Sequence, residues 1–317
     1  MASKWSWSST GNEVVDEYPG QIKGRTFLIT GPSDGGIGAE TALCLASQSP
    51  STIILAGRDR AKIQPVIDRI THINPEVNTI FITLDLSDQA SVRAAAAEVK
   101  NQVDHIDVLI NNAAIMACPY SLTKDNLEVQ FGTNFLGPFL FTGLLLPKLR
   151  AAGLGSRIVN VSSSAHRFEG IRFHDIDFEN GRAYDTWKAY GQSKTALILM
   201  AIHMASKVPS NEIATFSVHP GSIASNLQRH VDSESISDAR VKSQNITDYE
   251  VTDRKTLQQG CATTLIAALD PRLKKFSGSY LSDGQLKQQA DHARGADNAE
   301  KLWHLGEEIL GQRFAIN

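Results

Sequence analysis

Thr30-Gly31-Pro32-Ser33-Asp34-Gly35-Gly36-Ile37-Gly38 joins a short apolar run, Thr26–Thr30, to a run of helical periodicity, Ile37–Gln48. A glycine-rich turn between a strand and a helix is the setting that a dinucleotide fingerprint requires. Gly31 suits the tight turn, Gly36 lets backbone approach a pyrophosphate, and Gly38 permits close helix–strand packing. The free N–H groups and positive end of the helix then hold the anion. An ordinary glycine-rich connection is the bland alternative, and the strand before the turn weighs against it.

Outward from this turn, strands and helices alternate. The expected strands are Thr26–Thr30, Thr52–Ala56, Thr79–Leu84, Asp107–Ile110, Arg157–Val161 and Ile213–Val218, with a seventh near Ser279–Leu281. Helical runs at Asp59–Ile70, Asp88–Val99, Leu127–Leu149, Ala189–Lys207 and Gly260–Leu269 lie between or after them. Breaks are expected at Pro138 and Pro147. The alternation predicts an α/β, doubly wound Rossmann fold: one domain over 23–317, with a parallel sheet of about seven strands covered by helices on both faces. Residues 1–22 read as a loosely attached N-terminal arm, with Trp5 and Trp7 packing on the body or on a second subunit. Residues 226–259 read as an insertion that acts as a substrate lid, with Asn245, Asp248 and Asp253 scattered along it.

Composition narrows the function. The 317 residues are 42% hydrophobic and 21% charged, which suits a globular chain with a sizeable core. A net charge of −3 gives no reason to expect nucleic acid or an anionic membrane surface. Cys44, Cys118 and Cys261 are widely spaced and form neither a disulfide framework nor a metal knuckle, so no metal is expected and a reducing, cytoplasmic setting is. The polar start has no apolar signal-peptide core. The greasiest run, Phe135–Leu146, spans 12 residues, too few to cross a bilayer, and reads as a buried helix.

Three further signals bear on chemistry. After the second strand comes Gly57-Arg58, where a carboxylate would select a ribose 2′-hydroxyl. Arg58, supported by Lys62, instead suits a 2′-phosphate and predicts NADP(H) over NAD(H). The strand Arg157–Val161 ends in Ser162-Ser163-Ser164, at the sheet edge where open α/β folds bind ligands. Finally, Tyr190 and Lys194 stand four apart and share a helix face. A phenol has a reference pKa of about 10, and a nearby ammonium favours its ionised form. Tyr184 and Lys188 repeat that spacing, but Tyr190 opens the more apolar helix. His166, His174 and His203 lack zinc spacing, and His219 reads as a turn or packing residue. Phe135, Phe139 and Phe141 read as core or a dimer face.

Together these motifs resemble the short-chain dehydrogenase/reductase family, over about Gly24 to Gly284. The matching stretches are Thr30-Gly31…Gly36-Ile37-Gly38, Asp85-Leu86, Asn111-Asn112-Ala113-Ala114, Thr133-Asn134, Val161-Ser162-Ser163, Tyr190-x3-Lys194 and His219-Pro220-Gly221-Ser222-Ile223-x-Ser225. The neighbouring text is most similar to the retinol-dehydrogenase-like and WW-domain-oxidoreductase-like branch, though no WW domain is evident.

The resemblance implies that Tyr190 is the catalytic acid/base and that Lys194 lowers its pKa and binds the nicotinamide ribose. It implies that Ser163 polarises a carbonyl and that Asn134 links Lys194 to solvent through a water. Cofactor-binding residues would be Gly31, Ser33, Gly36, Ile37, Gly38, Arg58, Lys62, Asp85, Leu86, Asn112, Ala113, Tyr190, Lys194, Ile223 and Ser225. The implied substrate is a lipophilic alcohol, aldehyde or ketone, and a homodimer is compatible with the family. The glycine turn is one residue longer than the family's usual form, Ala114 replaces a glycine, and Ser225 replaces a threonine. A non-catalytic NADP(H)-binding regulator on the same fold is the alternative reading. An epimerase or dehydratase relative is a third.

Overall fold

The computed structural model describes residues 4–153, 155–225, 227–228, 231–244, 246, 249 and 253–316. Its main sheet is built from β1 (Thr26–Thr30), β2 (Thr52–Gly57), β3 (Asn78–Thr83), β4 (Val108–Asn111), β5 (Ser156–Val161), β6 (Ile213–His219), β9 (Tyr280–Ser282) and β10 (Gln285–Lys287). Two short strands, β7 (Ser222–Ile223) and β8 (Arg254–Lys255), pair separately. The main order is β10-β9-β6-β5-β4-β1-β2-β3, parallel throughout except for antiparallel β10 on β9. The sheet therefore has eight strands where about seven were expected. Gln285–Lys287 is too short and too polar to read as a strand, and it forms only because the turn at Asp283-Gly284 folds it back on β9.

Nearly every residue of β1, β2, β4 and β5 is buried, as strands covered on both faces must be. Phe27 and Ile29 face one apolar layer and Leu28 the other. The first layer is closed by α1 (Gly11–Glu17), α2 (Ile37–Ala46), α3 (Arg60–Ile73) and, later in the chain, a helix at Leu257–Leu269. The second is closed by α4 (Gln89–Gln102), α5 (Val129–Ala151), α6 (Thr186–Lys207) and a C-terminal helix, Ala296–Leu310. Numbered in chain order, Ser233–Gln244 is α7, Leu257–Leu269 is α8 and Ala296–Leu310 is α9.

Three expectations are corrected. The N-terminal arm is not loose from residue 4 onward: Trp5, Val14, Val15 and Ile22 are buried, and Trp5 packs edge-on against Tyr18. The expected breaks at Pro138 and Pro147 are absent, and α5 runs as one helix of 23 residues. Pro138 lacks the N–H that would bond the Asn134 carbonyl, and the helix responds by widening into a π turn over Gly132–Leu136. At that length α5 could span a bilayer, so shortness does not make it a core helix. Burial does: its apolar window is 89% buried inside the fold, and Phe135, Phe139 and Phe141 are all core. Of the expected lid residues, Asn245 and Asp248 lie outside the described residues, while α7 occupies the middle of that segment.

Candidate active site

The sheet order reverses between β1 and β4, and a cavity of about 490 Å³ opens at their carboxyl ends. Gly31 leaves β1 with φ of +66°, and a Cβ there would meet the Cα of Ala113 at 2.8 Å. The additional loop residue is absorbed by a second left-handed glycine, Gly35, with φ of +73°. The loop then docks on α3: Asp34 N–H donates to the Lys62 carbonyl at 3.0 Å, and the Asp34 carboxylate pairs with Arg69 at 3.1 Å. Gly36 caps α2 with no side-chain bond to its N–H groups. At Gly38 a Cβ would come within 2.5 Å of Asn112 Nδ2. That amide donates to the carbonyls of Thr30 and Gly31, at 2.8 and 3.2 Å. The glycines thus keep a backbone cradle open, which fits a phosphate group at a helix N-terminus.

Of the predicted cofactor residues, Gly31, Ser33, Gly36, Ile37, Arg58, Lys62, Asp85, Leu86, Asn112, Ala113 and Ser225 line this cavity. Gly38, Tyr190, Lys194 and Ile223 do not. Ile223 packs instead toward Gly260 and stays buried. Arg58 stands where β2 ends at Gly57, and Lys62 lies 3.9 Å from Asp59. The Asp59 carboxylate also lines the cavity, but it accepts the Ala61 N–H as the cap of α3. Among the wall residues not predicted as cofactor-binding, Ala56, Gly57, Leu84 and Ala114 flank predicted ones, and Asp59, Thr133, Ile115 and Leu227 complete the set. Three of these last four adjoin motif residues, which is the signal that could have found them. Leu227 belongs to the insertion.

Asn134 joins the cavity wall to the reactive cluster. Its amide donates to the Ile115 carbonyl at 2.9 Å and to Ser193 Oγ at 3.0 Å, while Ile115 N–H donates back at 2.9 Å. Ser193 in turn donates to the Tyr190 carbonyl at 2.7 Å. The π turn supplies this placement, because it rotates Asn134 inward out of the ordinary helical register.

Tyr190, Lys194 and Ser163 come together beyond that link. Lys194 Nζ lies 5.5 Å from the centre of the Tyr190 ring and donates to the Val161 carbonyl at 2.8 Å. The Ser163 hydroxyl lies near enough to the Tyr190 phenol to oppose the rise in its pKa that burial causes. It also accepts the Ala165 N–H at 3.1 Å, which leaves its own proton free to donate. The expected lowering of the Tyr190 pKa by Lys194 is not what dominates. Burial pushes the phenol up, with nearby Tyr249 adding to the rise. Burial also pulls Lys194 down to about 7, so its charge is itself marginal near neutrality. Tyr190 is accordingly held protonated.

The rival Tyr184 is engaged elsewhere. Its hydroxyl is held by Gln130 Nε2 at 2.8 Å and Glu128 Oε1 at 2.9 Å, and burial drives its pKa up. An aromatic shell surrounds Tyr190 instead. Trp187 meets it edge-on at 6.2 Å, and Phe168 stacks on Tyr249 at 5.3 Å. Helix α7 closes over this shell: Trp187 Nε1 donates to the Ser235 carbonyl at 2.9 Å, and Lys242 pairs with Asp185 at 2.9 Å. No cluster of metal-ligating side chains occurs among the described residues.

Known proteins resemble this chain in sequence and in fold. A family model described as short chain dehydrogenase matches residues 25–174. Retinol dehydrogenase 11 of Homo sapiens is 38% identical over 291 residues, covering 92% of this chain and 87% of that protein. The chain belongs to the short-chain dehydrogenase/reductase family. Short-chain dehydrogenase/reductase prx1 of Penicillium roqueforti is 35% identical over 313 residues, covering 94% of this chain and 87% of that one. Among solved structures, a protein of Mycobacterium paratuberculosis superposes with a TM-score of 0.73 at 30% identity, covering 98% of this chain and 99% of the other. The NADPH-bound carbonyl reductase from chicken fatty liver, at 24% identity and a TM-score of 0.59, shares the fold. The family match ends at residue 174, so Tyr190 and Lys194 lie outside it.

Proposed function

We propose that this short-chain dehydrogenase/reductase is an NADP(H)-dependent oxidoreductase acting on a carbonyl or alcohol carbon of a lipophilic small molecule. The observation that carries it is the junction at Asn134, which ties a glycine-walled, Arg58-bearing cavity to the Ser163–Tyr190–Lys194 cluster. The residues present fit a dinucleotide: a Cβ at Gly31 or Gly38 would fill the cradle, and Asn112, Asp85 and Leu86 form its far wall. Arg58 and Lys62 favour a 2′-phosphate, and Gly57 places no carboxylate at the end of β2 to repel it. When bound, the nicotinamide supplies or accepts the hydride.

The chain's own residues do the rest. Ser163 donates a hydrogen bond to the substrate oxygen and orients it toward Tyr190. Tyr190, protonated because it is buried, delivers a proton to that oxygen as it becomes an alkoxide, which suits carbonyl reduction. Lys194 and Asn134 hold the Tyr190 segment in place and form the route by which the phenol is reprotonated. Met116, Phe168, Trp187 and Val231 give the approach to Tyr190 an apolar lining, which favours a greasy substrate and excludes water.

The test is to follow NADPH oxidation across a panel of lipophilic aldehydes and ketones. Turnover with NADPH, at least about tenfold slower with NADH and levelled by Arg58→Ala, is expected. Equal use of NADH would remove the cofactor assignment. Tight NADPH binding without turnover on any panel member would favour the non-catalytic regulator.

A further inference from the structure

Ser163 reaches Tyr190 from an unusual support. It caps the short 3-10 turn Ser164–Phe168, and the turn is held by its own buried His166 and by the half-buried His219. His166 folds back so that its Nδ1 lies 2.7 Å from the Ser163 carbonyl. Its Nε2 lies 3.1 Å from the N–H of Ala290, in the segment after β10. An amide N–H only donates, so Nε2 must accept, and a neutral ring then carries its proton on Nδ1 and gives it to Ser163. His219, at the end of β6, accepts the N–H of Ser164 on its Nδ1 at 3.1 Å and so holds the next peptide. His292 closes on the His166 carbonyl at 2.7 Å. Burial keeps His166 neutral, with a pKa near 3, so this tautomer persists across the physiological range. The ring of Tyr280 meets it edge-on at 5.0 Å and blocks rotation.

We propose that His166 is a positioning residue for the reaction: in its Nδ1–H tautomer it fixes the Ser163 peptide, and the Ala290 N–H on its Nε2 selects that tautomer. This rests on the reading of Ser163 given above. The Ser163 peptide bears the hydroxyl that stands beside the Tyr190 phenol, so a shift of the turn moves that hydroxyl by a comparable amount. A misplacement of about 1 Å in such a group costs up to about a hundredfold in rate.

Two substitutions separate the two bonds. An asparagine amide reaches the place of imidazole Nδ1, and a glutamine amide that of Nε2. His166→Asn therefore keeps the bond to Ser163 and loses Ala290, whereas His166→Gln keeps Ala290 and releases Ser163. The expected result is a kcat lower by about tenfold to a hundredfold for His166→Gln, with KM for NADPH within about twofold of wild type, and a much smaller kcat loss for His166→Asn. In a Ser163→Ala background His166→Gln should cost nothing further. Equal kcat losses for the two variants, or a full further loss in the Ser163→Ala background, would show a merely structural histidine and overturn the proposal. Long-range 15N–1H spectra of the wild-type imidazole give a readout independent of turnover. An Nδ1–H signal supports the proposal, and an Nε2–H signal overturns it whatever the activity. Absence of wild-type turnover would instead overturn the oxidoreductase reading on which it rests.

Discussion

At the scale of the residue, Lys194 carries an energetic cost that the fold accepts. Its ammonium is buried with a carbonyl as partner and no carboxylate among the described residues, so folding depresses its pKa from 10.5 to about 7. Between those values the unfolded chain holds more protons than the folded one, so this group adds stability as pH rises through that window. Below about pH 7 both states are charged and the full penalty remains. The difference in unfolding free energy between wild type and Lys194→Met should therefore move toward wild type by a few kcal/mol from about pH 7 to about pH 10, measured by urea denaturation without cofactor. A pH-independent difference would mean that Lys194 is not desolvated. Tyr190 and Lys194 were legible in the sequence because a helix brings i and i+4 together whatever the rest of the fold does. The direction of the Tyr190 shift was not legible, because it depends on burial by Trp187, Phe168 and Tyr249, which arrive from other segments.

At the scale of the element, the glycine loop and α5 show two ways a local rule is bent. The loop carries one residue more than its family's usual turn. It stays in place because Gly35 takes the left-handed conformation and Asp34 is pinned to α3. Gly38→Ala should push a methyl against Asn112 and raise the dissociation constant for NADPH by about tenfold or more, with a loss of stability of about 1–3 kcal/mol. Titration of cofactor fluorescence checks the first and thermal unfolding the second. In α5, proline rules predicted breaks, yet the helix continues. Tertiary burial outweighs the hydrogen bonds lost at Pro138 and Pro147, and the widened turn becomes the place from which Asn134 reaches Ile115 and Ser193. Strand positions in the core were read to within a residue or two, since buried parallel strands are continuous apolar runs. Helix ends were less legible, because capping residues such as Asp185 and Asp59 decide them.

At the scale of the whole molecule, the ends of the chain close the fold. The N-terminal segment lies on α8 and β10: Trp5 packs at Gly284, and the Trp7 ring sits 5.9 Å from the Lys255 ammonium. Trp5→Ala should cost about 3 kcal/mol or more and lower the melting temperature, while leaving NADPH affinity unchanged, because Trp5 packs at Gly284 and neither residue lines the cofactor cavity. An unaltered melting temperature would mean that the segment is attached only loosely. The antiparallel β10 and the helix α9 were both missed in the sequence, β10 because it is three polar-flanked residues, and α9 although its buried Ala299, Leu302, Trp303, Gly306 and Leu310 recur at helical spacing. β10 depends on the adjacent turn that returns it to β9, whereas α9 is held by a partner more than a hundred residues earlier, Phe139 against Trp303. The doubly wound core, by contrast, followed from the alternation of strand and helix alone.

All of this chemistry converges on the Tyr190 hydroxyl. The direct measurement is the kcat/KM of Tyr190→Phe for NADPH-dependent reduction of a carbonyl that the wild type accepts, with NADPH affinity measured in parallel and Tyr184→Phe as the matched control. The expected result is a loss of about a thousandfold or more for Tyr190→Phe at unchanged NADPH affinity, with Tyr184→Phe close to wild type. Retained turnover in Tyr190→Phe, or its loss in Tyr184→Phe alone, would contradict the account.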